Sequence, residues 1–401
     1  MIEIAAALDL VEQYSAKTLP PVKTKLVHLP GHVVVENLTS DVDSPRFDKS
    51  MMDGFALQAA SVQKPGTVLS VVGKVFAGGF FDGAVPDGSA VQIMTGAPVP
   101  LGTDSVVMFE QTEYSDDQVT INAEVQHGQN ILTRGLAMQS DQVVMDAGRL
   151  VRASDIGLLA EAGVSLGQVF PKPSIAVIAT GDELVDVATV PTGSQIRNSN
   201  GPMLEALASP FCRHVDNLGI GPDDRQQLSA KIQTGLQSDV LVLSGGVSAG
   251  KADLVPELLD AAGVHQVFHK VRIKPGKPVW FGALKVEDGL DKLVFGLPGN
   301  PVSSMICFRV FVVPALLRMA GRNPEQFSVS AKLTESHSQR GGRTTYWPTE
   351  LDRRPDGNFL KPLNWKGSAD LKTIQQANSF GIFPGQHERF EPGDEIEVLL
   401  I

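Results

Sequence analysis

The stretch DVLVLSGGVSAGKADLVPELLDAA, Asp239–Ala262, places an unbroken apolar run, a glycine loop and a helical pattern in direct succession. Val240–Leu243 do not alternate with polar residues, which predicts a strand over Asp239–Leu243 buried on both faces. Apolar residues then recur at Val255, Leu258, Leu259 and Ala262, predicting a helix over Asp253–Ala262. The same order returns on either side. Ile175–Thr180 reads as a strand and Gly201–Ala208 as a helix, while Leu293–Leu297 reads as a strand and Val302–Met319 as a long helix. Continuous apolar strands separated by helices predict a parallel sheet covered on both faces, and such sheets bind ligands at the loops leaving the strands' carboxyl ends.

Outward from this region the text changes. Ile4, Leu8 and Val11 predict an amphipathic N-terminal helix, followed by an extended segment around Gly31–Glu36. From residue 41 to 134 short β-type runs (Val68–Val75, Ala90–Met94, Ser105–Phe109, Val119–Ile121) are broken by Gly, Pro and Asp, as in a small strand-rich module. A helical pattern returns at Ser154–Ala162. Residues 323–401 are β-like and end in a turn and an alternating strand, EPGDEIEVLL. No repeats are visible.

The 401 residues carry a net charge of −11, which excludes a general nucleic-acid or anionic-membrane surface and requires any anionic ligand to be held by a local cluster of cations. Cys212 and Cys307 are isolated in sequence, so they read as buried thiols of a reducing compartment, not as a disulfide or zinc site. The N-terminus lacks a basic signal-peptide start. Met305–Met319, interrupted by Arg309, Pro314 and Arg318, reads as too short to cross a bilayer. A cytoplasmic protein is expected.

Three strand-ending loops could carry chemistry: Thr180–Leu184 (TGDEL), Ser244–Asp253 and Gly296–Pro301 (GLPGNP). In the last, Asn300 suits an N-cap and Pro301 the first helical position, leaving backbone N–H groups that favour an anion, although a good helix start explains the same residues. Gly245 to Lys251 matches the start of a P-loop, but Ala252 stands where the Mg²⁺-binding hydroxyl belongs. His269–Pro278 holds four cations and no acid. If extended, it aligns Lys270, Arg272 and Lys274 on one face, either as an oxyanion site or as a lysine-protected edge strand. Asp182, Glu183, Asp223, Asp224 and Asp253 offer oxygen ligands for Mg²⁺, each with an alternative as a cap or turn residue, and Asp53 before Gly54 reads equally as a turn aspartate.

In order, SPRFDKSMMDGFAL, IMTGAPVP with TDSVVMFEQ, IATGDEL, IRNSNGPML, LGIGPDD, LSGGVSAGKAD, IKPGKPVWFG, GLPGNPVSS and GSADLKTIQQANSF resemble the molybdopterin molybdenumtransferase family, the MoeA proteins and the gephyrin E domain. The resemblance covers essentially the whole chain. It implies an α/β plus β, multi-domain chain: a segmented first domain (1–40 and 135–170), an inserted small β domain (41–134), a three-layer parallel-sheet pterin-binding domain (171–322) and a C-terminal β-barrel (323–401). It also implies a homodimer whose cleft joins the α/β and C-terminal domains of one subunit to the β domain of the other. Ser244, Gly245, Gly246 and Ser248, with Gly299, Asn300 and Pro301, would then contact the pterin. Lys274, Lys277, Pro298 and Ser368 would hold molybdate. Asp53, Thr95, Glu183 and Asp253 would be catalytic, with Glu183, Asp253, Asp223 and Asp224 linked to Mg²⁺. The implied reaction takes molybdate and adenylylated molybdopterin and releases AMP, with other molybdenum-cofactor biosynthesis proteins as possible handover partners.

Three departures bear on this. Arg134-Gly135-Leu136-Ala137 lacks the acids usual in the family, and Pro348 stands where the family has a second arginine; Lys49 also replaces a usual asparagine. They predict normal pterin binding with slow metal insertion. The competing readings are a diverged paralogue that carries molybdopterin without processing it, and a P-loop NTPase.

Overall fold

The computed structural model describes residues 1–247, 254–287, 289–324 and 328–401. They form two compact units, one of residues 23–168 and one of 1–22 with 169–401.

Residues 23–168 are built on a six-stranded sheet in the order Ser105–Met108, Gly54–Leu57, Ser89–Ile93, Thr67–Val75, Gln118–Ile121, Thr112–Ser115. The four β runs expected from sequence are all present. Gly54–Leu57, read only as the end of a turn, is an inner strand paired with both Ser89–Ile93 and Ser105–Met108. Its GFAL sequence alternates: Phe55 and Leu57 pack with Leu69, Val107 and Ile121, and Ala56 with Val75, Val91 and Ile93 on the opposite face. A Cβ at Gly54 would collide with the Val107 carbonyl, so only glycine admits the neighbouring strand this closely.

The second unit begins with helix α1 (Ile4–Ser15). It continues through β1 (Ser174–Thr180), α2 (Asn200–Ala208), β2 (His214–Gly221), α3 (Arg225–Gly235), β3 (Val240–Ser244), α4 (Val255–Ala261), β4 (Val264–His269), β5 (Trp280–Leu284), β6 (Lys292–Leu297) and α5 (Pro301–Met319). The sheet runs β2-β1-β3-β6-β5-β4. The first four strands are parallel, as expected, and β5 and β4 add antiparallel neighbours at one edge. The sheet is therefore mixed. The ten residues between β4 and β5 make a hairpin-type return, which only antiparallel strands permit.

Burial follows the pleat. Ile175, Val177, Val240, Val242, Leu293 and Phe295 face α1, α2 and α5, whereas Ala176, Ile178, Leu241, Leu243 and Val294 face α3 and α4. These are the three layers predicted from unbroken apolar strands. α5 starts at Pro301 and is 19 residues long, more than the Met305–Met319 apolar stretch suggested. It is long and apolar enough to cross a membrane by composition, but Ile306, Phe308, Phe311 and Leu316 are fully buried in the core of this unit.

The longer strands that follow are β7 (Ser328–Leu333), β8 (Thr344–Arg354), β9 (Gly357–Pro362), β10 (Ser379–Phe383) and β11 (Glu395–Leu400), with helix α6 (Leu371–Gln376) before β10. β8–β9–β7–β11–β10 closes back on β8, giving a five-stranded barrel filled by Leu333, Leu360, Phe383, Ile396 and Val398.

The basic segment is not one extended strand. β4 stops at His269 and Lys270 adopts a left-handed φ of 70°. The loop is closed by Lys270 N–H to Val279 O and Val271 N–H to Lys277 O, at 2.9 and 3.0 Å. Only Ile273–Lys274 is extended, paired with β8 at Thr344–Thr345. Lys270, Arg272 and Lys274 therefore do not share a face, and Arg272 turns to Glu3 in an exposed ion pair of 3.0 Å.

Candidate functional site

β1, β3 and β6 are neighbours in register, so Thr180, Ser244 and Leu297 bring their following loops together. Gly245 and Gly246 have φ of 96° and 64°. A Cβ on Gly245 would stand 2.5 Å from the Thr180 carbonyl oxygen, and one on Gly246 2.8 Å from Val255 Cγ2. The glycines thus serve the closure of the loop on its own neighbours, a nearer cause than the ligand approach read from sequence.

Ser244 is buried, and its hydroxyl accepts from Asn200 Nδ2 at 2.7 Å and shares a 3.1 Å hydrogen bond with the Ser304 hydroxyl. Asn200 Nδ2 also donates to the Gly299 carbonyl at 2.7 Å. Asn200, at the first turn of α2, therefore fastens the Ser244 and Gly299 loops to each other. Sequence reasoning missed it; the only signal was its place inside IRNSNGPML.

Asn300 occupies the N-cap position of α5 and Pro301 the first helical position, as predicted. The Asn300 side chain does not cap the helix. Its Nδ2 donates to Ser368 Oγ at 2.9 Å, and the Val302 N–H donates to the Ser368 carbonyl at 3.0 Å. The helix start is less open to an anion than expected, because part of its donor set already holds the Ser368 loop.

Beside this junction lies a pocket of about 480 Å³. One wall is the turn Lys274–Pro278, another Pro298, Asn300 and Ser303, and the third Arg343, Trp347 and Trp365–Ser368. Lys274, Lys277, Pro298, Asn300 and Ser368, scattered over almost a hundred positions, are thereby brought together. Arg343, Lys366 and the two tryptophans were not among the expected residues. Among the described residues, four cations and no acid line the wall. Arg343 Nη1 donates to the Ile273 carbonyl at 3.2 Å, which anchors it next to Lys274.

Burial, and then the charges of Arg343 and Arg340, hold the Lys274 ammonium below the usual lysine range. Behind Trp347, the imidazole of His337 lies among Trp347, Phe383 and Phe390, and burial, then the Lys274 charge, push it down to about 4. Both shifts come first from burial, and neighbouring positive charge adds to each.

Pro348 is buried in β8 opposite Phe380 and is not on the pocket wall. Ala137 is exposed, in a loop where Arg134 pairs with Asp43 at 2.5 Å.

The acids are dispersed. Asp224 caps α3 by accepting from Gln227 N–H at 2.8 Å. Asp182 accepts from Asp223 N–H at 2.9 Å, and Glu183 is exposed with its carboxylate against Gly181. Among the described residues no three His, Cys, Asp or Glu side chains converge as a metal-ligating group. Ser248 and Asp253, with Lys251 of the P-loop-like string, lie outside the described residues. In the 23–168 unit, Asp53 Oδ1 accepts from the Thr95 N–H (2.7 Å) and hydroxyl (2.8 Å), donors that hold its carboxyl below the usual range.

Comparison with known proteins gives the family. Residues 2–163 match the MoeA N-terminal region (domain I and II), residues 176–318 the "Probable molybdopterin binding domain" and residues 330–401 the MoeA C-terminal region (domain IV). A protein of Staphylococcus aureus (strain MRSA252) named molybdopterin molybdenumtransferase is 34% identical over 401 residues, covering 98% of this chain and 93% of its own. A protein of that name from Staphylococcus epidermidis (strain ATCC 35984) is 31% identical over 378 residues, 92% of this chain and 88% of its own. The crystal structure of a molybdopterin biosynthesis MoeA protein from Pyrococcus horikoshii superposes with a TM-score of 0.84 at 28% identity, over 100% of this chain and 99% of that one.

Proposed function

The chain belongs to the MoeA family, and from that premise we propose that it is a molybdopterin molybdenumtransferase, inserting molybdate into molybdopterin during molybdenum-cofactor biosynthesis. The observation that carries this reading is the acid-free pocket. Gathering Lys274, Lys277, Arg343 and Lys366 in a chain of charge −11 costs Coulomb energy that a bound oxyanion repays. Molybdate, a dianionic substrate, fits that chemistry, with Ser368 and the Pro298 edge shaping the pocket.

We assign the adjoining loops to the pterin, with Gly245, Gly246, Gly299, Asn300 and Pro301 as the contact surface; the same role is proposed for Ser248, which lies outside the described residues. Ser244 acts by holding these loops together, because its hydroxyl is already engaged. The cations bring molybdate against the dithiolene sulfurs and offset the negative charge that accumulates as both anions meet.

In this proposal the pterin arrives adenylylated and AMP leaves. Mg²⁺ would be held mainly by substrate phosphates, its usual mode, with Glu183, Asp223 and Asp224, and Asp253 outside the described residues, proposed as further oxygen donors. When bound it would neutralise the leaving phosphate. Asp224 contributes only if it leaves its cap. Asp53, kept ionised by Thr95, acts with Thr95, Glu183 and Asp253 in the catalytic set. A homodimer, the four-domain division (1–40 with 135–170, 41–134, 171–322, 323–401), a cytoplasmic site of action and handover among cofactor-biosynthesis proteins complete the proposal.

The test is incubation with adenylylated molybdopterin, Mg²⁺ and molybdate. Release of AMP together with active cofactor is the expected result. Tight pterin binding without either product would identify a carrier, and ATP hydrolysis in the absence of pterin would identify an NTPase.

A further inference from the structure

We propose that Lys366 is a specificity-determining residue of the oxyanion pocket, adding the cation that makes it selective for a tetrahedral dianion. This rests on the reading of the pocket as the molybdate site. Lys366 lines the pocket opposite Lys274 and Lys277, on a chain segment that neither the basic turn nor the helix start belongs to. No hydrogen bond and no ion pair within 4 Å engages its ammonium among the described residues, although its charge helps to hold the Asp370 carboxyl below the usual range.

The segment that carries Lys366 is fixed. Its backbone N–H donates to Asp370 Oδ2 at 3.1 Å, and the Asp370 carboxylate is further engaged by the Thr373 N–H and hydroxyl. Two residues on, Ser368 is tied to Asn300 and Val302 at the start of α5. On the other side Trp365 packs edge-on against Trp347, with ring centroids 5.1 Å apart. A lysine rooted between two such anchors is presented to the pocket rather than left to roam the surface, so less freedom is lost when an anion is gripped.

Charge supplies the selectivity. The Coulomb gain from each added cation scales with the ligand's charge, so a fourth cation strengthens binding of a dianion about twice as much as that of a monoanion. The position at which the family carries a second arginine cannot do this here, because Pro348 is buried and off the wall. Lys366 supplies the charge from a different strand connection.

The experiment is equilibrium dialysis of the whole protein against molybdate alone at neutral pH, with bound metal counted by mass spectrometry. It compares wild type with Lys366→Ala, Lys366→Arg, Lys274→Ala and Lys372→Ala, each checked for an unchanged melting temperature, in low and high salt. Lys366→Ala is expected to bind about tenfold to a hundredfold more weakly, the loss of one charge-assisted contact. Lys366→Arg should stay within about twofold of wild type because the charge is kept. Lys372→Ala, exposed on α6 and absent from the wall, should bind as wild type. The gap should narrow in high salt. Lys366→Ala binding as tightly as wild type while Lys274→Ala is weakened would overturn the assignment and leave the pocket reading standing. An equal effect of Lys372→Ala would reduce Lys366 to part of a diffuse field. If neither Lys366→Ala nor Lys274→Ala changes binding, the molybdate reading of the pocket falls as well.

Discussion

Lys274 shows best how a residue's surroundings set its chemistry. Exposed lysines are interchangeable point charges, but this one is partly buried beside Arg343 and Arg340, and its ammonium is held below the usual range. An anion in the pocket favours the charged form. As pH rises, Lys274 loses its proton before an ordinary lysine does, so molybdate affinity should be flat near neutrality and fall on the alkaline side below pH 10.5, the ordinary lysine value. A titration of binding against pH checks this, and Lys274→Arg should move the fall to higher pH. Lys274→Ala and Lys277→Ala should each cost about tenfold to a hundredfold in molybdate use with the fold intact. Much at this scale was legible beforehand, because IKPGKP concentrates cations in a short window. Arg343 and Lys366 were not, since nothing local in GGRTT or NWKGS announces that a barrel connection will deliver them to the same wall.

Among the elements, the turn between Lys274 and Lys277 depends on one glycine. Gly276 has φ of 113°, and a Cβ there would collide with the buried Cys307 Sγ in α5. Gly276→Ala should therefore lower stability by about 1–3 kcal/mol and weaken molybdate binding together, since the turn cannot rise from α5 without moving both lysines. Cys307→Ala in the same protein should recover part of both losses, measurable by melting temperature and dialysis. Cys307 was correctly read as a small buried residue; its partnership with Gly276 lies 31 positions away and left no local mark.

The elements that the sequence did announce, β1, β3, β6 and their helices, have apolar runs long enough to demand burial on two faces. Of the ones it did not, β2 and β4 are edge strands whose sequences mix polar residues with apolar ones, HVDNLGIG and VHQVFH, while β5, WFGAL, is apolar but only five residues long. His337 belongs to the same barrel scale. Its imidazole is neutral in the fold, with a value near 4, whereas an unfolded chain takes up the proton near 6.5. The unfolded state then binds more protons over that interval, so stability should fall as pH drops from 6.5 towards 4. His337→Phe should flatten that part of the curve; an unchanged slope would assign the acid sensitivity to other groups.

For the whole molecule, what matters is that distant segments converge on one acid-free wall while the total charge is −11. Ala137, in the other unit, tests whether that wall works alone. If the family's acid assists insertion, Ala137→Asp should speed it at fixed pterin affinity; fast wild-type insertion at low molybdate would show that other residues already supply the function. The central claim is tested most directly by diffraction from crystals soaked in tungstate, a heavy tetrahedral dianion, with data collected at the tungsten absorption edge. The account predicts an anomalous peak in the pocket among Lys274, Lys277, Arg343 and Ser368, absent in the Lys274→Ala, Lys277→Ala double variant. A peak at another site with this pocket empty, or one that persists undiminished in the double variant, would contradict it.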